Sequence, residues 1–150
     1  MTPCVFCELI AGRLDKGLVE ETGLTLTLVN IRQFEVGQVL VIPRRHAPTI
    51  LDITDEESCA VMDAVRRVSA ALVKVYSPDG ITLYNNNGAA SLQEVPHFHM
   101  HVVPRRKNGT WGAGPPHIAA LERRSQNILD KVQVDIEREH EIADEIRVAL

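Results

Sequence analysis

Apolar residues recur along this chain with two periods, one typical of strands and one typical of a helix. Alternating or short continuous apolar runs predict β-strands, because successive side chains of a strand point to opposite faces. Such runs occupy residues 18–23, 24–30, 38–43, 81–84 and 98–103. Helical spacing predicts one long helix from about Thr54 to Tyr76, opened by a capping box with Glu57 three residues after the threonine. Gly12 is expected to end a short helical turn that begins at Phe6.

The pattern weakens after Arg105, where no single period dominates. Residues 111–116 are expected to form a loop, 118–129 a helix, and 139–150 a charged terminal helix. Over residues 132–136, strand and helix compete as predictions. We predict a single domain over residues 1–150, with a core at about 4–111 and a C-terminal extension at about 112–150.

Composition limits the classes of function that are expected, but it does not change the predicted secondary structure or domain organisation. Hydrophobic residues make up 45% of the 150 residues and charged residues 24%, as is ordinary for a globular protein. The net charge of −4 argues against general nucleic-acid or acidic-membrane binding. The N-terminus has no basic stretch and no long apolar run, so we expect no signal peptide, no membrane span and a cytoplasmic location. The odd number of cysteines, 3, fits a reducing compartment, and Cys59 is expected to pack into the core.

Three of the 6 histidines stand at alternate positions, at His97, His99 and His101. Alternate side chains of a strand project from one face, so the spacing predicts a row of imidazoles on one side of the sheet. Burying such a row without hydrogen-bond or metal partners would be costly. The alternative is a surface strand or tag-like run that is merely rich in histidine, which the internal and spaced arrangement disfavours.

These histidines are candidates for chemistry at phosphorus. Neutral imidazole is a good nucleophile near pH 7, and His99 is flanked on both sides by groups that can orient it. Donors for the phosphoryl oxygens and the leaving group would come from His101, Asn86, Gln93 and the backbone amides around Gly88. The sequence has no phosphate-binding loop of the GxxxxGK type and no carboxylate cluster for magnesium, which favours phosphoryl or nucleotidyl chemistry without a kinase-type metal.

A second constellation combines Cys4 and Cys7 with His46 and one of the three alternating histidines. Two cysteines and two histidines can complete a tetrahedral zinc site. A redox-active cysteine pair is disfavoured, because no βαβ pattern follows it. Spacing alone leaves a zinc site and a purely structural pair of cysteines as equal alternatives.

The segment from Pro96 to Arg105 resembles the signature of the histidine triad family of nucleotide hydrolases and transferases. The likeness runs from Cys4 to about Trp111 and includes the 28–46 segment and the asparagine-rich run before the histidines. It implies an α+β fold with a five-stranded antiparallel sheet, one long helix and shorter helices. It also implies a homodimer with a continuous sheet.

The resemblance further implies roles for single residues. His99 would attack the α-phosphorus of a nucleotide and be transiently nucleotidylated, while His101 and Gln93 would assist at the phosphate and the leaving group. Positions that match nucleotide contacts are Asn86 for the phosphate, Asn30 for the ribose hydroxyls, and Phe6, Leu9, Leu28 and Ile31 for the base. In zinc-containing members the matching ligands are Cys4, Cys7, His46 and His97, which favours zinc over the purely structural alternative.

Two positions depart from the family pattern. Gln38 stands where a fourth histidine usually backs the triad, and an amide can hydrogen-bond but cannot titrate. Leu92 stands where glycine is common and is expected to narrow the phosphate loop. Neither change removes the nucleophile, but both bear on substrate preference and rate. The tail after Trp111 matches no family feature and is expected to affect dimer contacts or specificity.

The sequence therefore predicts a cytoplasmic nucleotide hydrolase or transferase that forms a nucleotidyl intermediate at His99. Its substrates would be nucleoside phosphoramidates or dinucleoside polyphosphates. The expected partners are a purine nucleotide or nucleotide conjugate, a structural zinc ion and a second copy of the chain, with no nucleic acid and no membrane. One alternative is a zinc-stabilised nucleotide-binding or partner-binding protein with little catalysis. Another is a metal-storage strand, in which all three alternating histidines would bind metal.

Overall fold

An antiparallel sheet forms the centre of the protein, which the computed structural model describes over residues 4–109 and 134–150. The strands are β1 (Leu18–Glu21), β2 (Thr25–Val29), β3 (Val39–Pro43), β4 (Gly80–Tyr84) and β5 (Met100–Arg105). They lie side by side in the order β1-β2-β3-β5-β4. The helices are α1 (Val5–Ile10), α2 (Asp55–Tyr76) and α3 (Ile136–Arg147), and a 3-10 turn spans Ala89–Ser91. The prediction of an α+β fold with a five-stranded antiparallel sheet is confirmed.

Each face of the sheet has its own apolar layer, because side chains alternate along the strands. One layer packs the sheet against α2 and α3 and includes Val39, Val41, Val65, Leu72 and Ile142. The other layer lies under α1 and contains Phe6, Leu26, Leu28, Leu40 and Ile42. His101 pairs with Leu40 and so belongs to the second face. The short N-terminal helix therefore covers the sheet face to which His101 belongs.

The predicted strand 98–103 is wrong at its beginning, because β5 starts only at Met100. His97 and His99 precede the strand, and only His101 lies within it. The reason is competition for backbone hydrogen bonds. The N–H of Phe98 donates to the carbonyl of Ala47 at 2.6 Å, and the carbonyl of His99 accepts from the Asn85 side chain at 2.8 Å. These partners replace the sheet hydrogen bonds that a longer strand would have made.

The described C-terminal residues form a helix that packs against β1 and α2. A helix was predicted over 139–150, and α3 confirms it with an earlier beginning and an earlier end. The predictions for residues 111–133 lie outside the described residues. Within the competing segment 132–136, Val134 is irregular and Ile136 opens α3. Among the described helices, none combines the length and the apolar character needed to cross a membrane.

Helix α2 follows the predicted pattern except at Cys59, which is exposed rather than part of the core. The buried positions of this helix include Val61, Ala64, Val65 and Val68. Cys59 lies two residues before Val61, which places the two side chains about 200° apart around the helix. Its sulfur therefore points away from the sheet, and the prediction of a core cysteine is corrected.

Replacing Thr54 by alanine is expected to lower the free energy of unfolding by about 1 kcal/mol. The Thr54 hydroxyl accepts from the Glu57 N–H at 3.1 Å, and the Glu57 carboxylate accepts from the Thr54 N–H at 2.8 Å. Urea denaturation would measure the loss. Thr54→Ser keeps the hydroxyl and is the matched control, with stability expected within about 0.5 kcal/mol of the parent. Equal stability of the alanine and serine variants would contradict a role for the cap.

Candidate active site and metal site

The ring of His99 is held in one tautomer by the backbone beside it. Its Nδ1 lies 2.8 Å from the carbonyl oxygen of His97, and a carbonyl can only accept a hydrogen bond. Nδ1 therefore carries the proton, and Nε2 is left bare. The side chain is buried, and burial lowers the pKa of His99, so the ring is neutral near pH 7. A neutral imidazole with a bare nitrogen can act as a nucleophile.

His101 lies beside His99, with 5.0 Å between the two ring centroids. Its ring stacks on Tyr84, its partner across the β4–β5 pair, at 4.1 Å and an interplanar angle of 6°. Its Nδ1 lies 3.3 Å from Nε2 of Gln38, which is fully buried. Burial, helped by His99, lowers the pKa of His101 to about 3. The ring is therefore uncharged near neutral pH and is fixed in orientation by its two neighbours.

The loop before β3 positions Gln38, and it does so through a buried glutamine that the sequence analysis did not single out. The Gln33 side chain accepts from the backbone N–H groups of Gly37 and Gln38, at 2.8 and 3.0 Å. Its amide nitrogen donates to the carbonyls of Asn30 and Gln38. Gln33 thereby holds the loop closed on itself. A polar residue within an irregular stretch carries no period that could have indicated this role.

Cys4, Cys7, His46 and His97 come together as the resemblance implied, although they are far apart in sequence. Their ligating atoms all lie within 4.8 Å of one another. His97 Nδ1 is 3.6 Å from the sulfur of Cys4 and 3.7 Å from that of Cys7, and His46 Nδ1 is 3.4 Å from the Cys7 sulfur. The cluster joins the beginning of α1 to the segments that follow β3 and precede β5.

The tautomer of His97 fits a metal ligand. Its Nε2 lies 2.9 Å from the carbonyl oxygen of Pro43, so Nε2 carries the proton and the bare Nδ1 faces the cysteines. Such a second hydrogen bond is the usual way in which a metal-binding histidine is oriented. Tetrahedral zinc with bonds of about 2.0 to 2.3 Å separates its ligands by roughly 3.3 to 3.8 Å. The sulfur–nitrogen distances of 3.4 to 3.7 Å lie in that range. The donor set therefore fits zinc.

Of the three asparagines after β4, Asn85 and Asn87 hold the segment in place through side-chain hydrogen bonds, whereas Asn86 does not. Asn85 donates to the carbonyl of His99 at 2.8 Å, and Asn87 accepts from the N–H of Ile50 at 2.8 Å. Asn87 also donates to the side chain of Asn85. Of the three asparagines, all in the described part of the chain, Asn86 alone has a side chain without a hydrogen bond. Its half-buried amide is thus available to a ligand.

Gln93 closes the loop that starts at Gly88. Its Oε1 accepts from the Gly88 N–H at 2.7 Å, and its Nε2 donates to the carbonyl of Pro48 at 2.6 Å. Gly88 has φ of 80°, a conformation that favours glycine. Leu92 also has a positive φ, 62°, which is strained for leucine and gives a physical reason for the glycine common there in the family. Leu92 is 57% exposed, and its expected narrowing of the phosphate loop stays a prediction.

Replacing Gln93 by alanine is expected to lower kcat/KM for a nucleotide substrate by roughly 10- to 100-fold. The change removes both hydrogen bonds that the Gln93 side chain adds to the backbone hydrogen bonds of the loop from Gly88 to Gln93, so a bound phosphate would be misplaced relative to His99. Steady-state kinetics would measure the loss. Ser91→Ala, in the same loop, is the matched control and should keep kcat/KM within about twofold. Equal losses in both variants would mean that the Gln93 contacts are not what orders the loop.

Of the predicted nucleoside contacts, Phe6 lies next to His99. The Phe6 ring meets those of His97 and His99 edge-on, with centroid distances of 5.6 and 5.2 Å. Leu9 and Leu28 pack in the same apolar layer as Phe6. Ile31 is 47% exposed, so it offers apolar surface to a ligand. Phe6 and Leu28 are buried and belong to the apolar layer of this face of the sheet. Asn30 lies at the end of β2 and is nearly buried, with Oδ1 accepting from the Arg32 N–H.

Comparison with known families gives one consistent result. Residues 11–108 match the model of the HIT domain. The chain is 36% identical over 106 residues to Protein hit of Bacillus subtilis, covering 71% of this chain and 73% of that protein. It is 31% identical over 111 residues to the adenosine 5'-monophosphoramidase hnt1 of Schizosaccharomyces pombe, covering 74% and 80%.

A solved structure extends the likeness to the C-terminal part of the chain. It is a zinc-bound histidine triad family protein from Mycobacterium smegmatis, which superposes with a TM-score of 0.74 at 28% identity. The match covers 97% of this chain and 91% of that one. The match therefore reaches beyond residues 11–108, the part of the chain that the family model covers.

Proposed function

This chain belongs to the HIT domain family, and from that premise we propose that it is a nucleotide hydrolase or transferase that reacts at the α-phosphorus of its substrate. The observation that carries the proposal is the hydrogen bond from His99 Nδ1–H to the His97 carbonyl. It leaves Nε2 of a buried, neutral imidazole with a free lone pair. That arrangement supports His99 as the nucleophile.

The reaction would proceed in two displacements. The Nε2 lone pair of His99 attacks the α-phosphorus, an N–P bond forms, and the bond from phosphorus to the leaving group breaks with its electron pair on that group. The nucleotidyl-imidazole carries a positive ring and is easily displaced. Attack by water then forms a P–O bond and breaks the N–P bond with its electron pair on Nε2, which returns the neutral imidazole, releases a nucleoside monophosphate and gives one proton of the water to the solvent. Attack by another acceptor would give transfer instead. Asn86 and His101 are the proposed donors to the phosphoryl oxygens, and Gln93 and Gly88 shape the loop around them.

The nucleoside part would lie against α1 and the end of β2. Ile31 supplies exposed apolar surface, Phe6, Leu28 and Leu9 belong to one apolar layer, and Asn30 is proposed to meet the ribose hydroxyls. We propose a purine nucleotide or nucleotide conjugate as the ligand. Nucleoside phosphoramidates and dinucleoside polyphosphates are the proposed substrates, the first in line with the name of the fission-yeast relative.

Zinc is proposed as a structural cofactor held by Cys4, Cys7, His46 and His97. When bound, the ion supplies a crosslink between distant segments of the chain rather than an open coordination position for substrate. The zinc named for the Mycobacterium smegmatis relative supports this assignment. A homodimer and a cytoplasmic location stay predictions. β4 is an edge strand of the sheet, so it could pair with a second copy, and sedimentation equilibrium would test that.

Trapping of the covalent intermediate tests the proposed function. The protein would be mixed with a dinucleoside polyphosphate labelled at the α-phosphorus, quenched within milliseconds under denaturing, non-acidic conditions, and digested for mass spectrometry. We expect one nucleoside monophosphate attached at His99. Binding of the nucleotide with no adduct and no turnover would instead support the alternative, a zinc-stabilised binding protein with little catalysis.

A further inference from the structure

The orientation of the Gln38 side-chain amide is fixed by its partners. Its Oε1 accepts from the backbone N–H of Phe34 at 3.1 Å, and a backbone N–H can only donate. The other end of the amide is therefore the NH₂ group, which faces Nδ1 of His101 at 3.3 Å and the Tyr84 hydroxyl at 3.5 Å. Gln38 has no solvent exposure, so water does not compete for these contacts.

This donor determines the tautomer of His101. An NH₂ group facing Nδ1 requires a lone pair there, so the single proton of the neutral ring is on Nε2. The parallel stacking on Tyr84 prevents the ring from turning away. The low pKa of His101, caused first by burial and then by His99, agrees with a ring that stays neutral. His101 can therefore donate a hydrogen bond through Nε2–H, but it has no proton to give up near neutral pH.

The same limit applies to the other ring at the site. The proton on His99 is on Nδ1 and is bound to the His97 carbonyl, on the opposite side of the ring from the attacking Nε2. The attacking Nε2 carries no proton before the attack and is bonded to phosphorus after it. It therefore cannot pass a proton to the leaving group. Neither of the two imidazoles can thus protonate a departing atom.

We propose that Gln38 positions His101 as a neutral hydrogen-bond donor and supplies no proton of its own, so that efficient turnover is restricted to nucleotides whose leaving group departs as a stable anion. This inference rests on the proposed function of His99. An adenylated sulfate, carboxylate or polyphosphate meets the requirement, because the P–O bond breaks and the oxygen keeps the electron pair without needing a proton. An adenylated alkylamine does not, because breaking its P–N bond requires a proton on nitrogen. Among the substrates named above, dinucleoside polyphosphates are thereby favoured over phosphoramidates of basic amines.

The test on the unaltered protein measures adduct formation against leaving-group basicity. A series of adenylates with leaving groups from strongly acidic to strongly basic would be mixed with the full chain, and the rate of nucleotide transfer to His99 recorded. We expect a steep decline, at least about 100-fold across several pK units of leaving-group basicity, because neither His99 nor His101, the two imidazoles of the described site, acts as a general acid. Rates independent of leaving-group basicity would overturn the proposal. Absence of an adduct with every substrate would overturn the proposed function itself, so the two failures are distinguishable.

Two further measurements address Gln38 directly. Nitrogen-15 NMR of histidine-labelled protein should show His101 with a protonated Nε2 and a bare Nδ1, and the opposite tautomer would refute the inference whether or not any variant folds. In Gln38→Glu, the carboxylate should accept from Nδ1–H and favour the imidazolium, which can act as an acid. The total decrease in the rate of nucleotide transfer across the leaving-group series should then be at least about tenfold smaller than in the parent protein. Gln38→Met, of similar size but with neither charge nor donor, is the control and should keep the steep decline.

Discussion

Replacing His99 by asparagine is expected to reduce kcat for a nucleotide substrate by on the order of 10³- to 10⁶-fold, the range seen when an enzyme loses its nucleophile. The asparagine amide can still donate to the His97 carbonyl, as Nδ1–H of His99 does, so the surrounding backbone should keep its course. What the variant lacks is a nitrogen lone pair at the Nε2 position. Steady-state kinetics together with the trapping experiment would measure the loss of turnover and of the adduct.

The control for this variant is His140→Asn. His140 is an exposed histidine of α3 that contacts Asp15 and lies outside the site, so kcat should stay within about twofold of the parent. Circular dichroism should show that both variants are folded. Retention of full turnover by His99→Asn would refute the nucleophile assignment even if nucleotide binding persists.

Removal of zinc is expected to lower the free energy of unfolding by more than the Thr54→Ala substitution does. If free zinc exceeds its Kd by a factor of 1,000, binding stabilises the fold by about 4 kcal/mol, and a strong chelator should remove that contribution. The ion would join α1 to both segments that flank the site, so the N-terminal helix should separate from the sheet first. Thermal denaturation with and without chelator, and metal analysis by mass spectrometry, would measure the effect and the stoichiometry.

Cysteine variants separate the metal site from general thiol effects. Cys7→Ser should lower zinc content to well below one ion per chain and reproduce the destabilisation seen with chelator. Cys59→Ser is the matched control, because Cys59 is exposed on α2 and lies outside the metal cluster. A chelator-insensitive Tm in the parent protein would contradict the structural role of zinc. A stoichiometry above one ion per chain would favour a metal-storage role for the histidines instead.

Most elements of the fold could be predicted because their signals are local. The capping box at Thr54 and the helical spacing after it depend only on nearby residues, and both are present in α2. The apolar runs of β2 and β3 are flanked by turn residues and pair over their whole length. Family resemblance added the grouping of Cys4 with His97, which are separated by most of the chain and which spacing alone left undecided.

The errors arose where distant contacts decide the structure. His97 and His99 have strand-like spacing, but hydrogen bonds to Ala47 and Asn85 take the place of sheet pairing. The stacking of Tyr84 on His101 depends on the register of β4 against β5, which no local pattern specifies. Likewise, the role of Gln38 could not be predicted from its identity alone, because it depends on which atom of its side-chain amide accepts from the Phe34 N–H.

His97 contributes to two sites through two different parts of the residue. Its ring nitrogen faces the cysteines, whereas its backbone oxygen orients His99. Every amino acid has that oxygen, so the orientation of His99, the proposed nucleophile, depends on the path of the main chain and not on the side chain at position 97. In evolutionary terms, the proposed zinc ligands could be lost in a descendant without loss of the proposed reaction, provided that the Phe98 N–H stays bound to Ala47 and keeps the segment in place.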